Sequence, residues 1–364
     1  MKKNMVSKLL ALTLAATMMA ACGTSGTETS PKETAAKEET SAPAGKESGT
    51  APAESGGEAE ARQIVYAYCD AEGSMIDMTA KKFKEILEEK SEGRFQVRLY
   101  PNGSLGNTSE LASGLIDGTI TMISGDMTPV YYAPYGVFEM QRLFDSRENA
   151  KKAVEKGGEF RTALEKVSEE GNIKLLSCVP AAYRVLSSNK KVEKVEDIEG
   201  LKLRLMESDI PMAFWGALKA SPTPISIGEV YIALQQGLVE AQENPLSVMI
   251  GYNLQEQQKY IVETNHKLFF CEQLMNLEFF NSLSAEDQQL ILDVCEEVDA
   301  FTYQNAADME ADSVEFLKGQ GLEFITPSEE FYAKLDAVAA ESYDIVRASV
   351  GDELVDLALK AVGK

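Results

Sequence analysis

The sequence predicts an α/β protein in two lobes, on three observations. At 364 residues the chain is about twice the length of an average domain. Apolar residues make up 44% of it, enough to bury a sizeable core. From residue 64 to 126, short strand-like runs alternate with helical periodicity, the pattern of a mainly parallel sheet with helices laid on it. The same length accommodates a domain plus unstructured chain, and both descriptions apply, because the first sixty residues read as address and tether.

Lys2, Lys3 and Lys8 precede an uncharged apolar run from Leu9 to Ala21, a signal-peptide core too short to span a bilayer. Met19-Ala20-Ala21-Cys22-Gly23 then resembles a bacterial lipobox, so residues 1–22 are expected to be a lipoprotein signal peptide and Cys22 the lipidated residue. Residues 23–61 contain no Val, Ile, Leu, Met or aromatic residue and cannot offset chain entropy by burial. They are expected to form a disordered tether with a typical reach of roughly 35 Å. The expected localisation is extracytoplasmic, lipid-anchored to the bacterial cell membrane.

The body justifies its elements in order. Ile64–Tyr68 is a short apolar strand. Met75, Met78, Phe83, Ile86 and Leu87 recur at helical spacing up to Gly93. Residues 95–100 alternate at period two, Pro101-Asn102-Gly103 breaks the run, and 109–116 reads as a helix closed by Gly118. A third strand, 119–124, ends at Gly125-Asp126. Ligands of open sheets sit beyond the carboxyl ends of strands, so Glu72 and Asp126 are candidates by position, and the same loops also carry Asp70. Further on, 201–205 alternates, with three leucines on one face and Lys202 and Arg204 on the other. Ser226 and Glu229 have the spacing of a capping box, and Glu243-Asn244-Pro245 reads as a loop at a strand end. Ser284 opens a helix with no Pro or Gly until Gly319, long enough to brace both lobes. Another helix is expected from Ser328 to about Val350.

Composition narrows the function. Fifty-eight acidic against 35 basic residues give a net charge of −23, which repels phosphate backbones and anionic membrane surfaces and argues against nucleic acid as a partner. One histidine, His266, disfavours a Ser-His-Asp triad and zinc sites built on several imidazoles; no metal and no cofactor are expected. Cys69, Cys178, Cys271 and Cys295 allow three disulfide connectivities and no spacing chooses among them; they are expected to be mostly buried and reduced.

Seven segments occur in order along the body: YPNGSLG (100–106), LASGLIDGTITM (111–122), SSNK (187–190), IEGLKLRLMES (198–208), SPTPISIGEVYIALQQGLVEAQENPLS (221–247), TNH (264–266) and SLSAEDQQLI (282–291). Together they resemble the solute-binding proteins of tripartite ATP-independent periplasmic (TRAP) transporters, over residues from about 62 to 350. The resemblance implies a two-lobed, periplasmic-binding-protein-like fold with crossing strands and a long brace helix. Lobe I would hold 62–181 plus 270–309, and lobe II 182–269 plus 310–364. It implies capture of an organic acid by lobe closure and delivery to the membrane permease subunits, with no enzymatic step.

By motif, Arg204 matches the arginine that grips the substrate carboxylate, Asn244 its partner, and Arg184 a second arginine found there in many members, although this chain reads Ala182-Tyr183-Arg184 where the family often has Gly-Phe-Arg. Asp126 and Cys69 match positions that often line the substrate's other end. Trp215 lies where the family's aromatic wall could stand. Ile227 replaces an aromatic residue in the Ala-Phe-Ser-Glu pattern of many members. Physics supports the arginine independently: a guanidinium fork matches a carboxylate bidentately, which lysine cannot reproduce. Without the resemblance, Arg204 reads as a solvated strand residue rather than a clamp, and Asp126 and Glu72 as surface carboxylates or helix N-caps.

Carboxylates at the far end would accept hydrogen bonds from hydroxyl groups and repel a second acid. A hydroxylated monocarboxylate such as a uronate or other sugar acid is therefore expected ahead of a C4-dicarboxylate. The alternatives are a binding protein feeding a sensor kinase and a lipid-anchored glycosidase, although nothing places two carboxylates at defined spacing on facing strands.

Overall fold

The computed structural model describes residues 61–364. The expected signal segment with Cys22, and all but the last residue of the expected tether, lie outside the described residues.

The chain starts in the expected order, β1 (Arg62–Ala67), α1 (Met75–Lys90), β2 (Phe95–Tyr100), α2 (Thr108–Asp117) and β3 (Met122–Asp126), with the third strand shifted from 119–124 so that it includes Gly125 and Asp126. Ser74 caps α1 by accepting the Asp77 N–H. Asn107 and Glu110 form a reciprocal capping box at α2, which Gly118 ends in the left-handed conformation. β1 lies between β2 and β3 and is parallel to both.

α3 (Arg147–Ala153) and α4 (Glu159–Glu170) lead to β4 (Ile173–Ser188). A second parallel unit follows: β5 (Lys202–Leu205), α5 (Asp209–Ala217), β6 (Ser221–Pro224), α6 (Val230–Gln235) and β7 (Ala241–Asn244), with β5 parallel to β6 and β7. α7 (Leu246–Gly251), β8 (Tyr260–Asn276), α8 (Leu277–Asn281), α9 (Ala285–Gly319), β9 (Glu323–Ile325), α10 (Glu329–Val350) and α11 (Asp352–Val362) complete the chain.

One sheet runs β2-β1-β3-β8-β4-β7-β5-β6, with β9 paired to β8. It is parallel at its two ends and antiparallel in its middle, where β3 meets β8, β8 meets β4 and β4 meets β7. The expectation of a mainly parallel sheet is corrected by β4 and β8, two long strands running through both ends. Their pairing shifts register at three places, Leu175/Ser177, Pro180/Ala182 and Arg184/Leu186. Pro180 cannot donate to a ladder and sits beside one such irregularity.

The expected lobe boundaries at 181/182, 269/270 and 309/310 fall inside β4, β8 and α9, three continuous elements. α9, 35 residues and about 52 Å long, is capped by Ser284 and touches both ends of the body. Ile291, Val294 and Val298 pack with Phe83 and Leu87 of α1, and Leu317 packs with Val230, Leu246 and Met249. α11, expected with lobe II, touches α10 of that lobe but also packs against α3, α4 and the 3-10 turn Ala133–Glu139. Its apolar Leu354, Val355 and Ala358 join the core of the first half.

The capping box expected at Ser226 does not form. A 3-10 turn, Ile227–Glu229, precedes α6, and Ser226 makes no capping bond; its hydroxyl lies 3.4 Å from a Glu207 carboxylate oxygen.

Candidate functional site

The carboxyl ends of β1, β3 and β5 and the tip of β7 open on a cavity of about 410 Å³. Its walls are built by recognisable sequence. The YPNGSLG segment turns through Asn102 and Gly103, both in the left-handed region, and Gly106 at φ 133°, so the backbone of the loop forms part of the wall. Gly125 is needed because the Tyr131 ring lies against its Cα, where any Cβ would collide; Tyr131 in turn lines the cavity. Val248, Phe269, Met206 and Ile225 supply apolar surface, while Thr108, Ser109 and Ser226 supply hydroxyl groups.

Arg204 enters from β5. The alternation of that strand puts Leu203 and Leu205 in the core and Lys202 in solvent, but turns Arg204, only 3% exposed, into the cavity. Its Nε donates to the Ile225 carbonyl at 2.8 Å, which fixes the plane of the guanidinium, and no carboxylate pairs with it among the described residues. Burial pulls its pKa down to about 10, with Glu243 opposing and Arg184 reinforcing the shift. Asn244 also lines the cavity, and its Nδ2 donates to Gln242 Oε1 at 2.6 Å. Both Glu243 and Asn244 belong to β7 rather than to the loop after it.

Arg184 lines the cavity from β4, but its charge is already met. Nε and Nη2 donate to the two carboxylate oxygens of Glu243 at 2.5 and 2.8 Å, and Nη1 lies 3.4 Å from Asp126 Oδ2. Glu243 also contacts His266 Nε2 at 3.0 Å, and His266 Nδ1 lies 2.8 Å from Thr264 Oγ1. Burial lowers the His266 pKa although Glu243 works the other way, so the imidazole is neutral. A carboxylate only accepts, so Nε2 carries the proton and Nδ1 accepts from the threonine. Burial opposes ionisation of Glu243, but Arg184 and His266 outweigh it and hold the carboxyl well below its usual range. His266 is thus a structural hydrogen-bonder.

Asp126 lines the cavity, yet its oxygens are engaged. Oδ2 accepts from Lys267 Nζ at 2.8 Å and Oδ1 from the Phe270 N–H at 3.1 Å, while Lys267 also donates to Glu139 at 2.7 Å. Lys267, Glu139 and Glu243 carry this buried network and escape sequence reasoning; their partners lie 23 to 141 residues away.

The remaining candidates divide. Cys69 lines the cavity, its thiol pushed up to about 11 by burial, and Ile227 lines it as expected. Glu72 does not. It is exposed, 4.0 Å from Lys81, because the chain turns outward to start α1. Glu72→Ala is expected to change ligand affinity by less than about twofold in an isothermal titration, like other surface substitutions. Trp215 is not a cavity wall either: it is fully buried among Phe214, Leu203 and Leu205, edge-on to His266 at 5.1 Å. The apolar register of α5 turns it inward. Cys69, Cys178, Cys271 and Cys295 are all free and buried.

Glu272, on β8 behind the cavity, is fully buried with neither carboxylate oxygen partnered. Burial first, then the charge of Asp126, push its carboxyl well above the usual range, so folding favours the protonated form. The unfolded chain releases that proton above about pH 4.3, so this group makes stability fall as pH rises from there. Glu272→Gln removes the slope. Between pH 4 and pH 8 the variant is expected to gain about 1–3 kcal/mol on the wild type, read from urea midpoints; parallel pH profiles would refute it.

No group of three or more His, Cys, Asp or Glu side chains able to hold a metal ion occurs among the described residues. A pocket with one uncompensated guanidinium, set under the long central strands of a two-ended sheet, defines a protein built to hold an anionic solute. The chain belongs to the bacterial extracellular solute-binding proteins, family 7, which it matches over residues 66–349. This is the TRAP solute-binding family, and it is non-enzymatic. Its members are extracellular, and among the described residues no helix is long and apolar enough to cross a membrane.

A relative in Escherichia coli, the 2,3-diketo-L-gulonate-binding periplasmic protein, is 28% identical over 73% of this chain and 81% of its own. Among solved structures, the sugar acid binding protein of Advenella mimigardefordensis in complex with galactonate is 25% identical at a TM-score of 0.79, covering 84% of this chain and 98% of that one. A TRAP periplasmic solute-binding protein of Haemophilus influenzae with bound L-gulonate is 28% identical at a TM-score of 0.77, covering 82% and 98%.

Proposed function

We propose that the protein captures a hydroxylated monocarboxylate, a sugar acid, and delivers it to the membrane subunits of a TRAP transporter. The observation that carries this reading is the state of the two cations lining the cavity: Arg184 is paired with Glu243, whereas among the described residues no carboxylate pairs with Arg204. One carboxylate can be gripped by the Arg204 fork, with Asn244 beside it able to donate without adding charge. A second carboxylate would meet no free cation among the described residues. It would face Asp70 and Asp126, while hydroxyl groups would find acceptors there and partners in Asn102, Thr108 and Ser109. The ligands of the E. coli, Advenella and Haemophilus relatives support the same class.

Capture proceeds by closure of two lobes hinged on β4, β8 and α9, because a ligand touching the β5–β7 side and the β1–β3 side together favours the closed state over the open one. A lipid anchor at Cys22 would hold the protein near its permease. The deciding experiment is a titration of the purified protein, stripped of co-purifying solute, with galactonate, gulonate, galacturonate, succinate and malate. Sugar acids are expected to bind tightest; succinate or malate binding tighter than every sugar acid overturns the assignment.

A further inference from the structure

One carboxylate in the cavity takes no part in holding the fold. Asp70 follows β1 directly, and its carbonyl accepts the Asn102 N–H at 3.0 Å, which ties its backbone to the turn of the YPNGSLG segment. The side chain lines the cavity, and among the described residues no other side chain hydrogen-bonds or ion-pairs with it. The charged and titratable groups that face it come from every neighbouring element. They are Tyr68 and Cys69 on its own segment, Asp126 on β3, Tyr131 before the 3-10 turn, Arg184 on β4, Tyr252 after α7, and Cys271 and Glu272 on β8. Arg184 is already held by Glu243, so it compensates Asp70 only in part. Burial, then the like charge of Asp126, push the Asp70 carboxyl up to about 7, with Arg184 and its own backbone N–H opposing. Its charge therefore changes within the ordinary pH range.

Asp70 and Arg204 approach the cavity from opposite ends of the sheet, with β3, β8, β4 and β7 between their strands. An acid whose carboxylate is on Arg204 thus presents its other end toward the Asp70 side. Resting on the proposed carboxylate grip, we propose that Asp70 decides what that other end can be. Ionised, it accepts from a terminal hydroxyl and turns away a second carboxylate; protonated, it donates to that carboxylate and admits the diacid. The diacid is then taken up together with a proton held on Asp70, whereas the monoacid is not.

The test uses a minimal pair, galactonate and galactarate, which share a carbon skeleton and differ only in a terminal hydroxymethyl against a second carboxylate. Both are ionised from pH 5.5 to 8.5. Isothermal titration of the wild type is expected to show galactonate favoured at pH 8.5, with the ratio of the two affinities narrowing at least about tenfold by pH 5.5, the change that one unit of pKa displacement produces. At pH 7.5, enthalpies measured in two buffers of different ionisation heat should report proton uptake with galactarate and none with galactonate, a readout that needs no variant. Asp70→Asn should give a ratio that no longer changes with pH.

A wild-type ratio that stays constant across the range, the absence of proton uptake with galactarate, or an Asp70→Asn variant that keeps the wild-type pH dependence would each overturn the role of Asp70. In those cases galactonate binding that is lost in Arg204→Met leaves the carboxylate grip standing. If neither acid binds, or both bind Arg204→Met as well as the wild type, the grip and the role of Asp70 fall together.

Discussion

Replacing Arg204 by methionine is expected to weaken sugar-acid binding by about 2–5 kcal/mol, from roughly thirtyfold to several thousandfold. The ligand carboxylate gives up its hydration on entering the cavity, and among the described residues Arg204 is the one cation lining it that no carboxylate already holds. Against a micromolar affinity near −8 kcal/mol, that loss nearly abolishes capture. Arg204→Lys keeps the charge but not the planar fork, so it should fall between the wild type and the methionine variant. The empty protein should respond in the opposite sense. An unpaired guanidinium held to about 10 by burial destabilises the fold, so Arg204→Met should melt at or above the wild-type temperature when no ligand is present. Calorimetric titration and thermal melts on the same preparation check both halves. Binding within threefold of the wild type would rule out Arg204 as the grip.

The largest stability effect is expected at Glu243→Ala. Glu243 is 3% exposed, takes two hydrogen bonds from Arg184 through its carboxylate oxygens, and accepts from His266. Removing it leaves a buried guanidinium with only the 3.4 Å contact to Asp126 and the Glu243 backbone carbonyl, and a buried imidazole N–H without its acceptor. Breaking a buried pair in this way costs about 3–5 kcal/mol. The sign with pH follows from the depressed carboxyl. Its contribution is present above about pH 4.3, the value of the unfolded chain, and is lost as pH falls toward the lower folded value. Wild type and variant should therefore converge in stability as the solution is acidified. Urea midpoints measured from pH 7 downward test this, and a variant as stable as the wild type at pH 7 would show that the network is not what holds β4 to β7.

Much of the fold is legible before any coordinates. β1 to β3, their helices and the helix starts at Ser284 and Ser328 follow from periodicity and from residues whose side chains satisfy free N–H groups. β4 and β8 are harder to read. Both are buried along most of their length, so apolar and polar residues do not alternate, and Pro180 interrupts the only strand-like run in β4. The mixed sheet is invisible without them, because they supply every antiparallel contact.

The site divides along the same line. Arg204, Asn244, Arg184, Asp126, Cys69 and Ile227 do meet at one cavity, and ordered motifs locate them. The same motifs say nothing of which charges are already used. Glu72 and Trp215 show how position in a segment misleads: two residues past Asp70 the chain has turned outward, and one turn of α5 puts an aromatic in the core instead of the wall.

By itself, then, the chemistry of the chain determines the strand-and-helix alternation, the acidic body, the single histidine and the arginine that a carboxylate needs, since these depend on residue type and near neighbours. Which arginine stays free, which carboxylate is spent on Lys267 and which remains open at Asp70 are decided only by the tertiary structure. Charge compensation depends on distances of 2.5–3.4 Å between residues 58 or more positions apart, and folding alone sets those distances.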